Sequence, residues 1–586
     1  MPNPTPISPV CLECEACGPG CPEAAAALPL AKREAMQRVQ VDLLGHPPSP
    51  IPRQCWHCAQ APCIEVCPAG AMRRDAAPGS VWVDRSRCVG CWMCVLACPF
   101  GAVLPSSNGQ FAVKCDGCRG REVPKCLGSC RPRDDLFVPM SRAESVRQRR
   151  AALAVAGWGW PGPADYPPPQ TSPRSIPPPP VKLEPHRCLV VGSGIAAVRA
   201  VETLRAASTG CEITLVSDEW TPPYSRVLLS HHIAGLKDEQ SVALRTTSWL
   251  REMEVELIAG DGAAGLDADR RQVTLRSGRT LSYNRLLIAT GASPVRLPVP
   301  GAKLGGVVGL RHLRDAAAIR SLEPREVVIV GGGFVGIKAA EALRQLGARV
   351  TMVEKLEQLL PRVLDAPAAK FVQEAMEAHG VRILTGVGVR EIEGRDRATG
   401  VLLESGERVR ADLIVVAVGV APNIHWLRGS PVRVRRGVVV NERMRTNIPE
   451  VWAAGDVAES RDMLTGERTV SGLWPVAAAQ GRVAGANMAG SFESYPGSIS
   501  MNTLDVFGLA VASFGQVRGD SERVIEQNPG RYQKRVYRNG ALVGAVLAGD
   551  IREAGKLLAE VLRQDLHPAS HSDGPPRRHE GTKPNP

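Results

Sequence analysis

The chain has 586 residues, too many for one hydrophobic core, so several domains are expected. No apolar run approaches a membrane span. The start, Met1-Pro-Asn-Pro-Thr-Pro, lacks the basic and apolar regions of a signal peptide, which points to the cytoplasm. The net charge of +12 is carried without the aromatic-interleaved basic patch of a nucleic-acid binder, and it suits an acidic redox partner, because complementary charge speeds encounter.

Four groups of four cysteines open the chain: Cys11, Cys14, Cys17, Cys21; Cys55, Cys58, Cys63, Cys67; Cys88, Cys91, Cys94, Cys98; and Cys115, Cys118, Cys126, Cys130. The third group ends in Pro99 and has the spacing of the bacterial run that holds iron–sulfur clusters. Three thiolates on one tight loop can grip one [4Fe–4S] cube. The fourth is expected to open a short helix and reach a neighbouring cube, and the proline turns the chain away. Zinc sites rarely place a third cysteine three residues after a Cys-x-x-Cys pair. All sixteen cysteines are therefore expected as metal ligands, enough for four cubes in a reducing compartment.

Because fourth cysteines swap between partners, Cys55, Cys58 and Cys63 are expected to share a cube with Cys98, and Cys88, Cys91 and Cys94 with Cys67. Likewise Cys11, Cys14 and Cys17 would take Cys130, and Cys115, Cys118 and Cys126 would take Cys21. The two remaining cysteines, Cys188 and Cys211, lie in apolar strand-like runs and are expected as small core residues.

The order Cys-x2-Cys-x4-Cys-x3-Cys-Pro, then Cys-x2-Cys-x2-Cys-x3-Cys-Pro-Phe-Gly, then Lys114-Cys-Asp-x-Cys118, resembles the four-cluster electron-transfer subunits. These serve molybdenum and tungsten oxidoreductases, hydrogenases and carbon monoxide dehydrogenases. The resemblance implies an α+β ferredoxin-like iron–sulfur domain over residues 1–140. The chain departs from that pattern at Gly18-Pro19-Gly20 and at Arg131, which separates Cys130 from Pro132. Residues 141–186 are proline-rich. A short helix over 141–156 and then an extended, semi-rigid tether are expected.

Arg187-Cys-Leu-Val-Val-Gly192-Ser-Gly194-Ile-Ala-Ala197 reads as a buried strand, a glycine turn and a helix. Gly192 makes the turn, Gly194 admits a pyrophosphate at the helix N-terminus, and Ala197 packs the helix close. The following strand ends at Asp218-Glu219, where a carboxylate takes ribose hydroxyls. A second copy follows at Gly331, Gly333 and Gly336, its strand ending at Glu354. That charge accepts from a 2′-OH and repels a 2′-phosphate, favouring NAD over NADP.

Two such fingerprints resemble the two-dinucleotide flavoprotein disulfide-reductase superfamily, FAD first and nicotinamide second. The resemblance spans residues 187–490 and implies further FAD contacts at Thr290, Gly291, Arg311, Gly455 and Asp456, the last on the ribityl chain, with Trp474 at the flavin. It implies an α/β two-dinucleotide-binding (FAD and NAD Rossmann-like) fold. The FAD domain would take residues 187–309 and 431–490, and the NAD domain residues 310–430. A small C-terminal α+β domain over 491–566, which makes dimer contacts in the wider superfamily, points to a homodimer, and 567–586 to a disordered tail. The Cys-x4-Cys pair of disulfide reductases is missing. Its region reads Trp220-Thr-Pro-Pro-Tyr224-Ser-Arg226-Val-Leu-Leu-Ser-His231, similar to rubredoxin, ferredoxin and assimilatory nitrite reductases, with His231 where many relatives carry a lysine near the flavin.

Nicotinamides move electrons in pairs and iron–sulfur cubes singly; a flavin does both. The expected function is an NADH-linked oxidoreductase subunit that joins NAD(H), FAD and four [4Fe–4S] clusters to a catalytic partner. Candidates are a carbon monoxide dehydrogenase, a tungsten or molybdenum oxidoreductase, or a 2-oxoacid oxidoreductase. No acid, base or nucleophile is nominated as catalytic. The alternatives are a stand-alone NADH:ferredoxin or rubredoxin reductase with a diffusing ferredoxin-like acceptor, and a non-catalytic wiring subunit.

Overall fold

The computed structural model describes residues 55, 57–58, 61–75, 79–106, 109–116, 186–208 and 210–565, with the backbone of short strands at 3–4, 40–44, 49–53 and 137–138. Cys11, Cys14, Cys17, Cys21, Cys118, Cys126, Cys130, nearly all of the 141–186 linker and the 567–586 tail lie outside the described residues, and so does the pairing of the first and fourth cysteine groups.

The apolar run Arg187–Val191 forms a central strand of a five-stranded parallel sheet, flanked by Glu212–Val216 and Arg285–Ile288, with Val255–Ile258 and Val451–Ala453 at the edges. Strands covered on both faces read as continuous hydrophobic runs. Cys188 and Cys211 are both buried inside this core, where the Cys211 thiol donates to the Ser208 carbonyl at 3.7 Å. The chain leaves for a second parallel sheet and returns at Val451, so the helix Trp474–Met488 packs on Ile195–Ala207. Gly481 and Gly485 permit that approach, because a Cβ at either would collide with the carbonyl of Ala196 or Ala200.

The second sheet runs Val307–Gly309, Leu413–Val416, Glu326–Val330, Arg349–Val353, Val381–Leu384, all parallel. Val307–Gly309 therefore belongs to this sheet, ahead of the boundary drawn at 310. The expectation misplaced it because a three-residue strand carries no periodicity of its own.

A five-stranded antiparallel sheet follows, in the order 501–506, 509–515, 541–548, 531–538, 521–528, and it ends in the helix Ala554–Asp565. Its side chains alternate between two cores. Val511, Val546 and Ala548 pack on the second parallel-sheet domain, while Ala512, Phe514, Ala545 and Leu547 face the cysteine domain. The face turned to the cysteine domain also carries Leu557, Leu558 and Val561 of the helix, in one core with Trp92, Val95 and Leu96. Both apolar faces of the sheet are thus occupied within the chain, so a homodimer through this domain would use another surface.

The cysteine domain pairs two short helices, Pro62–Glu65 and Met93–Ala97, with the hairpins Met72–Arg74/Val81–Val83 and Leu104–Pro105/Ala112–Val113. Cys94 lies inside the second helix and Cys98 closes it as its C-cap, which corrects the expectation that the fourth cysteine opens a helix. Helix and cysteine run coincide here because the turn starts at Trp92, held at φ +60° and buried, where its indole donates to Asp505 at 3.2 Å.

Candidate redox site

At the C-terminal edge of the first sheet lies a cleft of about 480 Å3, where ligands of open α/β sheets bind. Gly192 sits at φ +114°, and a Cβ there would collide with the Ala289 carbonyl, so the turn requires glycine. Gly194 caps the next helix in extended backbone, φ −75°, and a Cβ there would meet no protein atom within 4 Å. The protein leaves that space open at a helix N-terminus, the place for a pyrophosphate.

Asp218, Arg226, Thr290, Gly291, Arg311, Gly455, Asp456 and Trp474 line the same cleft. Arg311 donates to Asp456 at 2.7 Å and to the Ala292 carbonyl at 3.1 Å, which fixes the carboxylate at the mouth. The indole N–H groups of Trp426 and Trp474 are buried with no partner, and both residues line the cleft. Two orphaned donors and an open glycine cradle fit a polar, pyrophosphate-bearing cofactor such as FAD.

One expected contact is corrected. Glu219 is 9% exposed and does not line the cleft; it is held by Arg226 at 2.7 Å, Tyr224 at 2.5 Å and His312 at 3.2 Å. Burial alone would raise its pKa. The His312, Arg226 and Tyr224 contacts outweigh burial and hold it at about 2. Asp218, half-exposed beside Arg276, is the acid of the pair that lines the cleft, and Glu219 orients three residues of the wall. Ala197 is fully buried in its helix and does not line the cleft, in keeping with the close packing expected of it.

Asn423 had no expected role. Its amide donates to the Thr290 carbonyl at 2.9 Å and its side-chain oxygen accepts from Ser293 at 2.7 Å, tying the loop after the second sheet to the cleft. Its signal in the sequence is the turn Val-Ala-Pro-Asn423 just past a buried strand end, where α/β sheets place ligand contacts.

The second fingerprint repeats the logic. Gly331 lies at φ +113° under the Ala417 carbonyl, Gly333 leaves its space open, and a Cβ at Gly336 would collide with the Gly331 carbonyl. The Glu354 carboxylate accepts from the Gly332 amide at 2.6 Å and the Leu356 amide at 2.9 Å, which places it beside the glycine turn.

Eight cysteines divide between two cavities in the cysteine domain. One is lined by Cys67, Cys88, Cys91 and Cys94, the other by Cys55, Cys58, Cys63 and Cys98. Backbone amides of Ala71, Ala102 and Ala112 donate to the sulfurs of Cys67, Cys98 and Cys88 at 3.2, 3.3 and 3.4 Å. Burial, reinforced by the neighbouring thiols, pushes Cys63 and Cys91 up to about 12. Such thiols ionise only against a strong local positive charge, and a metal cluster supplies one. Among the described residues no three His, Cys, Asp or Glu side chains converge as ligands of one metal ion. Each set of four thiols lines its own cavity, the arrangement that suits a cube. Cys115 follows Lys114, whose ammonium donates to the Cys115 carbonyl at 2.5 Å.

Residues 186–481 match the family described as pyridine nucleotide-disulphide oxidoreductase, residues 49–137 a 4Fe-4S dicluster domain, and residues 501–564 the rubredoxin NAD+ reductase C-terminal domain. Nitrite reductase [NAD(P)H] of Bacillus subtilis is 33% identical over 64% of this chain and 47% of its own length. The chain thus spans about half of that relative, and likewise 50% of the B. subtilis assimilatory nitrate reductase electron transfer subunit. The NADH-dependent phenylglyoxylate dehydrogenase subunit epsilon of Aromatoleum evansii is 34% identical over 66% of this chain and 94% of its own length. Among solved structures, NADH:rubredoxin oxidoreductase from Clostridium acetobutylicum superposes with a TM-score of 0.55 at 26% identity, covering 65% of this chain and 96% of that one.

Proposed function

The chain belongs to the pyridine nucleotide-disulphide oxidoreductase family, with an iron–sulfur dicluster domain ahead of it, and on that premise we propose an NADH-linked electron-transfer subunit. It passes electrons between NAD(H), FAD and four [4Fe–4S] clusters, to or from a catalytic partner. The observation that carries this reading is what lies beside the cleft. Residues 220–231, where disulfide reductases keep a thiol pair, hold no cysteine, and the cysteine domain is packed behind them.

The site residues would be the sixteen cysteines for the clusters, the Gly192–Asp456 set with Trp474 for FAD, and Gly331, Gly333, Gly336 and Glu354 for NAD. A bound flavin accepts a hydride and releases its electrons singly. The chain itself binds, orients and excludes water. Gly194 and Gly333 leave room for two pyrophosphates, Arg311 fixes Asp456 for hydroxyl contacts, and the buried indoles of Trp426 and Trp474 offer N–H donors. The balance closes on the two cavities: one hydride carries two electrons, each four-cysteine set takes one, and the proton goes to solvent. No side-chain acid, base or nucleophile is required.

The phenylglyoxylate dehydrogenase relative is named as a subunit and is matched over 94% of its length, which supports a fixed catalytic partner. Phenylglyoxylate is a 2-oxo acid, so of the partners considered a 2-oxoacid oxidoreductase is favoured. The rubredoxin reductase-type C-terminal domain favours a second reading, a stand-alone reductase of a ferredoxin-like acceptor. Purified protein is expected to reduce benzyl viologen with NADH and to co-purify with a catalytic subunit from its source. Dye reduction without a co-purifying subunit would select the second reading, and FAD-loaded protein inert to NADH would end both.

A further inference from the structure

We propose that the two described cysteine sets work in series: Cys67, Cys88, Cys91 and Cys94 form the inner station, facing the dinucleotide cleft, and Cys55, Cys58, Cys63 and Cys98 the outer one, held at higher potential by the buried ammonium of Lys114. This rests on the electron-transfer reading above.

The first part follows from one shared wall. Tyr224, Arg226 and Val227 line the cleft. The residues that follow, in the turn Arg226–Leu228 and the short helix Leu229–Ile233, put Leu228, Leu229 and Ile233 into a core with Ala69 and Ala71 of the cysteine domain. Of the eight cysteines in the two cavities, Cys67 and Cys88 alone pack against that core, and both belong to the inner set. The contact is pinned at its rim. Lys237 donates to the Ser86 carbonyl at 2.6 Å, two residues before Cys88.

In the outer set, Cys63 and Cys98 are buried in the core shared with the C-terminal domain, with Cys55 against it, and the helix Ala554–Asp565 comes so close that a Cβ at Gly555 would collide with the Cys98 carbonyl. Cys94, Cys67 and Cys88 of the inner set also touch the core shared with the C-terminal domain, but the outer set touches that core alone and not the one behind the cleft. An electron leaving the cleft therefore meets the inner set first.

The potential step follows from charge. The Lys114 side chain is 3% exposed, and its ammonium donates to the carbonyls of Val81 and Cys115. Val81 lines the outer cavity, and its amide donates to His57 Nδ1 at 2.8 Å, another lining residue. Arg74 adds a second cation, donating to the Cys58 carbonyl. Reduction adds a negative charge to the cluster, and a fixed cation in a low-dielectric surround favours that form, raising the potential. Beside the inner cavity the corresponding cation is Arg87, which donates to the Ala69 carbonyl at 3.2 Å but is only part-buried, so the buried ammonium of Lys114 sets the outer set apart. Each station takes and releases one electron, so two are filled by one hydride equivalent of NADH.

The test uses the full-length, cluster-loaded protein under anaerobic conditions. Cys91→Ala and Cys58→Ala each remove one station, verified by iron and FAD per chain. After rapid mixing with NADH and freezing, Cys58→Ala should show the remaining inner cluster's electron paramagnetic resonance signal at the wild-type rate. In Cys91→Ala the outer signal should rise at least 100-fold more slowly, while dithionite still elicits it. Equal rates in the two variants, or the reverse order, would overturn the series. Lys114→Met keeps every cysteine and so reads the second part without loss of a ligand. In a redox titration the signal absent from Cys58→Ala should move to lower potential and the other should stay in place; a shift confined to the inner signal refutes the assignment. Wild-type protein in which dithionite but never NADH reduces a cluster would be the distinct signature that the electron-transfer reading itself has failed.

Discussion

Glu219→Gln should loosen the flavoprotein half by an amount the structure allows to be worked out. The carboxylate is buried and held by Arg226, Tyr224 and His312. Burial opposes its charge, and those three contacts more than offset that, bringing it from 4.5 to about 2. At about 1.4 kcal/mol per pH unit this is roughly 3 kcal/mol in favour of the folded, ionised form. The folded value is depressed, so the stabilisation is complete above about pH 4.5 and is lost as the pH falls toward 2. Glutamine keeps an acceptor for Tyr224 but not the charge facing Arg226, so the cost at neutral pH is about 2–3 kcal/mol. For a domain of roughly 180 residues that lowers the melting temperature by about 5–10 °C. Because Arg226 and His312 line the cleft, FAD should be released over the same transition. The assay is thermal unfolding at pH 7 and pH 4, following flavin release. Asp218→Asn is the control: half-exposed at the cleft, it should weaken FAD binding with a stability change within about 0.5 kcal/mol. A wild-type melting point for Glu219→Gln, with a large loss for Asp218→Asn, would refute the division of labour between the two acids.

Gly194→Ala and Gly333→Ala should leave the fold intact, since neither Cβ meets a protein atom. The first should lower FAD per chain, and the second should raise the KM for NADH with FAD retained. Gly336→Ala, driven into the Gly331 carbonyl, should instead cost about 1–3 kcal/mol in a denaturation series. Gly555→Ala should push the C-terminal helix off the Cys98 carbonyl, and iron per chain should fall while FAD per chain holds. Glu354→Gln should lower the KM for NADPH by about tenfold, because a carboxylate facing a 2′-phosphate is removed; unchanged NADPH kinetics would contradict the placement of Glu354.

The parts of this molecule that recur at fixed spacing could be read from the chain alone. The glycines at 192, 194, 331, 333 and 336 answer to local geometry, a turn beside a strand end and an open helix N-terminus, and so do the cysteine runs around 55–98. Glu219 was misread because Asp218-Glu219 offers two carboxylates at one strand end, and only the fold shows Arg226, Tyr224 and His312 arriving on the second. The short helix was placed one cysteine late, because Trp92 in a left-handed conformation starts it early, and that conformation is secured by Asp505, more than four hundred residues away. The occupied faces of the C-terminal sheet were also beyond sequence. Alternation along 509–515 and 541–548 shows that both faces are apolar, but not that one of them receives the cysteine domain.

The central claim is that paired electrons from NADH leave this chain singly through its cysteine-held clusters. An anaerobic titration of purified protein with NADH, followed by iron analysis and electron paramagnetic resonance, measures this directly. The account predicts that each NADH consumed puts two unpaired electrons on clusters. Flavin bleached by NADH with clusters still oxidised, while dithionite reduces them, would contradict it.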